Sequence, residues 1–249
     1  MKKEKLSEGI RLSRKDILRV LLEAIVITLV LDYYFFSSLK ALIVVLPAGY
    51  AYFRMRVKEV RKSKKNEASL QFKELMLLAA TSQRAGYSVE NAFINSFQDM
   101  KNLFGGKSYI CRLIKRITVA KKNNMSISKI FIEEGENSRI DEIREFGYVY
   151  EIAYSHSGNM TQVMEKCAST FIEKLEIQDE INMALNERVF EMKIMSLMPF
   201  LIMSYIKLTN RGYFNVMYEE TTGKIIMLMA MLVYVGSFLW SNKIVSIDV

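Results

Sequence analysis

The chain has 249 residues, of which 51% are hydrophobic and 25% are charged, and its formal net charge is +8. Its 11 glycines and 2 prolines are too few for collagen-like, low-complexity or turn-dense all-β folds. Two cysteines and one histidine exclude a disulfide scaffold, a cysteine-rich metal site and a histidine-cluster zinc centre, so we predict no metal and no other cofactor. A chain this apolar and this charged is expected to keep the two properties in separate segments.

Four apolar runs lie in two pairs towards the ends of the chain. Each run is shorter than the roughly 20 residues that cross a bilayer unaided. Lysine and arginine flank the first pair, however, and long basic side chains extend a span by reaching to the headgroups. We therefore predict four transmembrane helices, two N-terminal and two C-terminal; the alternative is a set of core helices in a soluble protein. The runs are residues 20–36, 41–53, 194–208 and 225–240.

Two basic segments set the predicted orientation. Residues 1–19 hold seven Lys/Arg and three acids, and residues 54–65 hold seven Lys/Arg and one acid. Because basic loops stay on the cytoplasmic side, we expect a multi-pass protein of the cell membrane with both termini in the cytoplasm. The predicted segments are a basic N-terminus (1–19), a transmembrane pair (20–54), a basic juxtamembrane linker (55–65), a cytoplasmic helical bundle (66–190) and a second transmembrane pair with a short cytoplasmic C-terminus (191–249).

An internal repeat organises the segment between the apolar pairs. Two stretches share a frame in which a left-handed residue is followed by an apolar residue, a serine and a return to helical spacing, and a third copy is degenerate. Gly86, Asn124 and Gly158 hold the left-handed position that ends one helix, and the hydroxyl residue after each caps the next helix. Each copy predicts two antiparallel helices joined by a tight turn. Together they predict an all-α, six-helix bundle of three helix–turn–helix units.

Several isolated polar residues have structural interpretations. Glu23 and Asp32 fall within the first apolar run, where an acid is a candidate functional site, but their positions near its two ends favour interfacial placement. Cys111 and Cys167 are interpreted as small core residues, and His156 as an exposed or capping residue. The helix that starts near residue 160 has no break before residue 192, so we expect it to continue into the third apolar run as far as its proline.

Charge in the predicted bundle is divided between two faces. Residues 101–122 hold seven Lys/Arg and no acid, whereas residues 133–151 are rich in acids. Solvated surface is one interpretation, and docking patches for oppositely charged partners are the other. Nucleic-acid binding is disfavoured, because no reader motif is recognised. The candidate docking residues are Arg112, Lys115 and Arg116 on the basic face and Glu133, Glu134, Glu142 and Glu145 on the acidic face.

Short motifs follow one another in a fixed order from residue 72 to the end of the chain. They are FKEL at 72–75, RAGYSVENAF at 84–93, SGNM at 157–160, MPF at 198–200, NRGYF at 210–214, ETTGK at 220–224 and KIVSIDV at 243–249. The first four resemble the opening and close of a type II secretion system F domain. The tail is similar to the TadB-like branch of that family, which serves tight-adherence (Flp) pilus assembly.

The resemblance implies a non-enzymatic inner-membrane platform of a type IV (Tad/Flp-like) pilus or a type II secretion machine. Such a platform couples a cytoplasmic assembly ATPase to the extraction of pilin subunits. The expected partners are that ATPase, a second F-type (TadC-like) platform protein, pilin subunits, further copies of the chain and membrane lipid, but no nucleic acid. A transporter or channel subunit is the alternative. No nucleotide-binding loop is predicted, since the GGKS at 105–108 lacks the first glycine of that motif.

Overall fold

A computed structural model describes residues 14–38, 42–155, 160–210 and 212–245. All regular structure in these residues is α-helical, and they contain no strand. The all-α prediction is therefore confirmed. The helices are α1 (Arg14–Phe35), α2 (Leu42–Arg84), α3 (Val89–Asn95), α4 (Phe97–Phe104), α5 (Tyr109–Lys122), α6 (Ile127–Ser138), α7 (Asp141–Ser155), α8 (Met160–Thr209), α9 (Asn215–Glu219) and α10 (Thr221–Val245).

The helices form two compact units. Unit 1 includes Glu59–Ile177, and unit 2 consists of the described residues within Ser13–Lys58 and Gln178–Val249. The division falls inside α2 and α8, each of which runs unbroken from one unit into the other. The predicted linker at 55–65 is consequently part of a helix. Lysine, arginine and glutamate are good helix formers, so a basic segment of this composition continues α2 readily.

Unit 1 is built around four phenylalanines from four helices. Phe72, Phe93, Phe131 and Phe146 are each at most 1% exposed. The rings of Phe131 and Phe146 meet edge to face with their centroids 4.8 Å apart, a favoured aromatic geometry. Aliphatic residues of α5 complete this core, among them Ile110, Leu113, Ile114 and Ile117.

The helix count in unit 1 leaves the six-helix bundle unconfirmed. Between the first two predicted turns the chain forms three helices, α3 to α5, where two were expected. Ser96 alone separates α3 from α4 and keeps right-handed helical geometry, so these two behave as one bent helix. Its hydroxyl donates to the carbonyl oxygen of Ala92 at 2.8 Å, a local bond that often bends helices.

The close pairing of α6 with α7 depends on two helical glycines that the sequence analysis did not single out. A Cβ on Gly135 would lie 2.5 Å from the backbone nitrogen of Arg144. A Cβ on Gly147 would lie 2.9 Å from the backbone nitrogen of Ile132. Both positions therefore need glycine to let the two backbones approach.

Unit 2 packs the apolar segments of α1, α2, α8 and α10 around a second core. Leu31, Phe35, Val45, Met227 and Met231 are buried in it. Hydroxyl groups add specific contacts. The Tyr34 and Ser204 hydroxyls lie 2.6 Å apart and join α1 to α8, and the Tyr218 hydroxyl donates to the Tyr34 carbonyl at 2.7 Å.

The helix α8 continues ten residues beyond Pro199, where the sequence predicted its end. Proline lacks the N–H that would bond to the carbonyl four residues earlier, but this removes only one bond of the helix. The turn after it is held by packing, because Phe200 contacts the rings of Tyr34 and Tyr234 edge to face, each at 5.3 Å. Tertiary contacts thus compensate for the local defect.

Candidate functional site

Gly86 ends α2 in the left-handed geometry that the sequence predicts, with φ of 95°. Its N–H donates to the carbonyl oxygen of Gln83 at 2.8 Å, and the N–H of Tyr87 donates to that of Ser82 at 3.3 Å. These are the two bonds of a Schellman motif. Ser88 then caps α3, because its hydroxyl accepts the N–H of the third helical residue at 3.4 Å.

Asn124 forms the corresponding turn between α5 and α6, with φ of 51°. Its N–H donates to the carbonyl of Lys121 at 3.2 Å, and the next N–H donates to that of Ala120 at 2.9 Å. The predicted serine cap differs from expectation. The Ser126 side chain makes no capping bond, and its hydroxyl instead contacts that of Ser128 at 2.6 Å.

The third predicted turn, at Gly158, and the histidine His156 lie outside the described residues. Three further described residues with positive φ belong to none of the repeat copies, and one of them, Ser37 with φ of 50°, follows α1. Gly105, with φ of 81°, ends α4, in the segment interpreted as a turn rather than a phosphate loop. Arg139, with φ of 58°, ends α6. Arginine gives no sequence signal for this geometry.

The basic and acidic candidate faces contact each other. Arg116 on α5 forms ion pairs with Glu134 and Glu133 on α6; its contact with Glu133 is 3.3 Å long. The side chains of Arg116 and Glu134 are only 14% and 7% exposed, whereas that of Glu133 is 62% exposed. Arg116 and Glu134 therefore stabilise the α5–α6 contact and offer little surface to a partner.

Glu142 also has an internal partner, Lys174 of α8, at 2.9 Å. Burial acts to raise the pKa of Glu142, but the hydrogen bond and charge of Lys174, a backbone hydrogen bond and the charge of Lys65 together outweigh it, so this pKa is lowered. The same hydrogen bond raises the pKa of Lys174. Both shifts show that the charged forms of the pair stabilise each other.

The other candidate docking residues are exposed at the surface of unit 1. Arg112 and Lys115 project from α5, and Glu145 projects from α7. The Lys115 ammonium lies 5.6 Å from the ring centroid of Phe97, within the range of a cation–π contact. With Glu133, these residues form the surface on which a docking hypothesis rests; this set, Arg112, Lys115, Glu133 and Glu145, is called the exposed charged set below.

A polar cavity of about 550 Å³ lies beside the Asn124 turn. The Tyr150 hydroxyl donates to Glu90 at 3.0 Å on its wall. Burial, followed by the charge of Glu90, raises the pKa of this hydroxyl, so Tyr150 stays protonated. Tyr154 stacks on Tyr150 at the rim, with centroids 6.0 Å apart. The cavity mixes acids with a lysine, Lys121, and so has no clear preference for either sign of ligand charge.

Unit 2 exposes a continuous apolar surface. Two of its helices, Met160–Thr209 and Thr221–Ile244, are long and apolar enough to cross a membrane. Large apolar side chains are also exposed along α1 and the start of α2. Examples from the four helices are Leu22, Val26, Ile43, Leu46, Met195, Leu201, Met229 and Val233. Water-soluble proteins rarely expose so large an apolar area.

One end of unit 2 carries a lysine surrounded by tyrosines. The Lys207 ammonium donates to the carbonyl of Tyr33 at 3.1 Å and lies 4.2 Å from the centroid of that ring. It also lies 5.1 Å from the ring of Tyr34 and 5.3 Å from that of Tyr218. This cluster joins α1, α8 and α9. Sequence reasoning missed it, because its members are far apart in the chain.

The two acids of α1 have different environments. Glu23 is bridged by Arg19 at 3.4 Å and by Arg56 at 3.1 Å. Asp32 is 7% exposed, and its Oδ1 atom bonds to none of the described residues. The sequence interpretation placed both at interfaces; the burial of Asp32 within unit 2 was not anticipated, because it depends on packing against other helices.

The described residues contain no cluster of three or more side chains suited to a metal ion. Cys111 is buried, and Cys167 is half-buried; burial raises the pKa of the Cys167 thiol and disfavours its reactive form. No family model matches the chain, and no curated protein or solved structure matches it significantly. The functional assignment therefore rests on the residues and their arrangement.

Proposed function

We propose that the chain is a non-enzymatic, multi-pass platform protein of the inner membrane, and that it couples a cytoplasmic assembly ATPase to pilin extraction in a Tad/Flp-like pilus or type II secretion machine. Unit 2 is its membrane part, with four spans, and unit 1 is its cytoplasmic part. The observation that carries the membrane placement is the apolar surface shared by α1, α2, α8 and α10.

Short spans fit this placement because basic residues flank them. α1 begins with Arg14 and Lys15, and the apolar part of α2 is followed by Arg54. Long basic side chains at such positions extend the effective length of a span. The Lys207 cluster fits the opposite membrane surface, where tyrosine rings and lysine anchor helix ends.

The platform role is supported by the order of the sequence motifs and by the geometry of two turns of the internal repeat. Gly86 and Asn124 both end helices with Schellman bonds, so the repeat frame corresponds to a real structural unit. The exposed charged set offers a surface for reversible docking, because charge complementarity does not leave a large apolar patch when the partner departs.

Cysteine labelling tests the topology. A cysteine at Asn215, the first residue of α9 between α8 and α10, is expected to react with a membrane-impermeant reagent outside intact cells. A cysteine at the exposed unit 1 residue Asn137 is expected to react only after the membrane is opened. Labelling of the Asn137 position in intact cells would contradict the orientation.

Charge reversal tests the coupling. We expect Glu133→Lys with Glu145→Lys to weaken capture of the cognate ATPase and to lower pilus number, because both carboxylates are exposed. Reversal of Glu134 or Glu142 is unsuitable, since it would break internal ion pairs. Lys166→Glu is a control of comparable exposure on α8. Unchanged ATPase capture and pilus number in the double variant would contradict the docking assignment.

A transporter or channel subunit is the second candidate, and the observation in its favour is Asp32. Buried acids in membrane helices often mark ion or substrate paths. Purified chain in sealed vesicles distinguishes the two functions. The platform proposal expects no ion or solute uptake above that of empty vesicles. Uptake that is lost in Asp32→Asn would instead support transport.

A further inference from the structure

The four main helices of unit 2 each carry an exposed basic residue towards the same end of the unit. These are Arg19 on α1, Arg54 on α2, Lys193 on α8 and Lys243 on α10, and they are called the basic collar below. None of the four was among the candidate docking residues. Three contacts between helices fix their levels along the unit.

The contact between Tyr34 and Ser204 aligns α1 with α8. Arg19 precedes Tyr34 by 15 residues, and Lys193 precedes Ser204 by 11 residues. At a rise of about 1.5 Å per residue, the two basic residues lie roughly 23 Å and 17 Å from this contact. Ile27 and Leu197, each seven residues before its partner in the contact, line one cavity, so the two helices run in the same direction.

The remaining two helices reach the same depth. The Tyr234 hydroxyl donates to the Ser196 carbonyl at 3.0 Å, which aligns α10 with α8, and Lys243 lies nine residues further along α10. Arg56 contacts Glu23 at 3.1 Å, which aligns α2 with α1, and Arg54 is two residues from Arg56. All four basic residues thus fall in a band about two helical turns deep.

Two of the acids near the collar already pair with basic residues. Glu23 is shared by Arg19 and Arg56, and Glu191 pairs with Arg188 at 3.1 Å. Glu187 is a further exposed acid at this level. Counting these residues and the neighbours Lys15 and Asp16 with the collar, seven basic side chains lie near four acidic ones, so the band keeps a positive charge.

The collar borders the apolar surface directly. Leu18 and Leu22 are exposed on either side of Arg19, and Ile194 and Met195 follow Lys193. An apolar surface that adjoins a basic collar matches a bilayer leaflet with anionic headgroups. The apolar part contacts the acyl chain of a lipid, and the collar contacts the headgroup of the same lipid. An acidic soluble protein would match the charge but not the adjoining apolar side chains.

We propose that the basic collar is a binding surface for acidic phospholipid headgroups. The inference rests on the proposed membrane placement of unit 2 and names the lipid class that surrounds it there. The lipid acyl chains lie along the apolar surface of unit 2, while the phosphates accept hydrogen bonds from the arginine and lysine side chains of the collar. Acidic lipid is therefore enriched around this end of the protein relative to zwitterionic lipid.

Trp240 reports on this surface. It is the single tryptophan of the chain, is 72% exposed and lies three residues from Lys243. The full chain is reconstituted in two sets of phosphatidylcholine vesicles. One set contains brominated phosphatidylglycerol, and the other contains the same fraction of brominated phosphatidylcholine. Brominated acyl chains quench tryptophan fluorescence on contact, so the ratio of quenching measures the relative affinity of the two headgroups.

We expect brominated phosphatidylglycerol to quench Trp240 more strongly, with a preference on the order of fivefold for each basic residue nearby. Salt should weaken it by screening. Lys193→Gln with Lys243→Gln should lower the ratio several-fold, with Arg19 and Arg54 keeping a residual preference, whereas arginine at both positions should retain the full ratio. Lys101→Gln with Lys107→Gln removes the same charge from exposed positions in unit 1, outside the exposed charged set, and should leave the ratio unchanged.

Equal quenching by both lipids in the unmodified chain would overturn the lipid assignment and favour an acidic protein partner. A preference that the collar variant does not lower, or that the unit 1 control lowers equally, would overturn the role of the collar. If neither brominated lipid quenches Trp240, the result has a different meaning. It would show that α10 is not in the hydrocarbon region, and the proposed function itself would fail.

Discussion

Gly135 of α6 approaches α7 so closely that a Cβ at this position would lie 2.5 Å from the backbone nitrogen of Arg144. The conflict would be with backbone atoms, which cannot rotate away as a flexible side chain can. Gly135 also adjoins a charged contact of unit 1, since Glu134 precedes it and binds Arg116. The spacing of α6 and α7 therefore also affects the position of the ion pair.

Gly135→Ala should destabilise the protein by about 1–3 kcal/mol, because the added methyl group forces the two helices apart. Alanine is the better helix former by about 1 kcal/mol, so local propensity predicts the opposite sign. Thermal unfolding of the full chain, followed by circular dichroism, measures the change. Gly106→Ala is the control, since a Cβ there meets only the Lys101 side chain, at 3.7 Å or more. A stabilised Gly135→Ala would contradict the close approach.

Gly86→Val should cost on the order of 1–2 kcal/mol for a different reason. No atom lies within 4 Å of a Cβ at Gly86, so the cost comes from the positive φ and not from a clash. Gly86→Asn should cost much less, because asparagine tolerates the left-handed region. Equal losses of stability in the two variants, measured by denaturant unfolding, would show that backbone conformation is not the cause.

Arg139→Gly should stabilise the protein by about 0.5–1 kcal/mol. Arg139 ends α6 with φ of 58°, a conformation that glycine adopts at lower cost. Its exposure leaves little packing to lose. Arg139→Val is the opposing variant and should destabilise. The prediction fails if the midpoint of thermal unfolding falls in the glycine variant.

Glu134→Leu should destabilise by about 3–5 kcal/mol, because it leaves the mostly buried Arg116 charge without its main partner. Glu133 pairs with the same arginine but is exposed, so Glu133→Leu should cost less than about 1 kcal/mol. Arg116→Met combined with Glu134→Leu should cost less than the sum of the single changes. Additive losses in this double-mutant cycle would contradict a direct coupling of the two charges.

Lys174→Met should lower stability at neutral pH by no more than about 1 kcal/mol, since the lysine is half-exposed. The lowered pKa of Glu142 makes this contribution present above the ordinary carboxyl pKa and lost as pH falls through the folded-state value. Because the pKa of Lys174 is raised, the stabilisation by the ion pair is lost on the alkaline side only as pH rises through the folded-state pKa of Lys174. Unmodified chain and variant should therefore unfold alike in acid.

Unfolding measured between neutral and acidic pH tests this dependence. Lys166→Met is the matched control, because it removes one exposed charge from the same helix. A Lys174→Met difference that stays constant into acid would mean that the lysine stabilises by packing of its methylenes instead of by charge.

The sequence by itself determined the helical class and two of the turns. Apolar spacing and the near absence of proline require helices, and a glycine or asparagine before a serine marks a helix end wherever it occurs. These are local properties, and so Gly86 and Asn124 were found without knowledge of their neighbours. The apolar runs were found in the same way, since hydropathy is summed along the chain.

Only the tertiary structure decided which charges are available and which glycines are required. Arg116 looks like Arg112 in the sequence, but one faces Glu134 of another helix and the other faces solvent. Gly135 became essential through the backbone of α7, and Asp32 became buried through packing in unit 2. Such contacts join residues distant in the chain, and periodicity within one segment carries no information about the segment that packs against it.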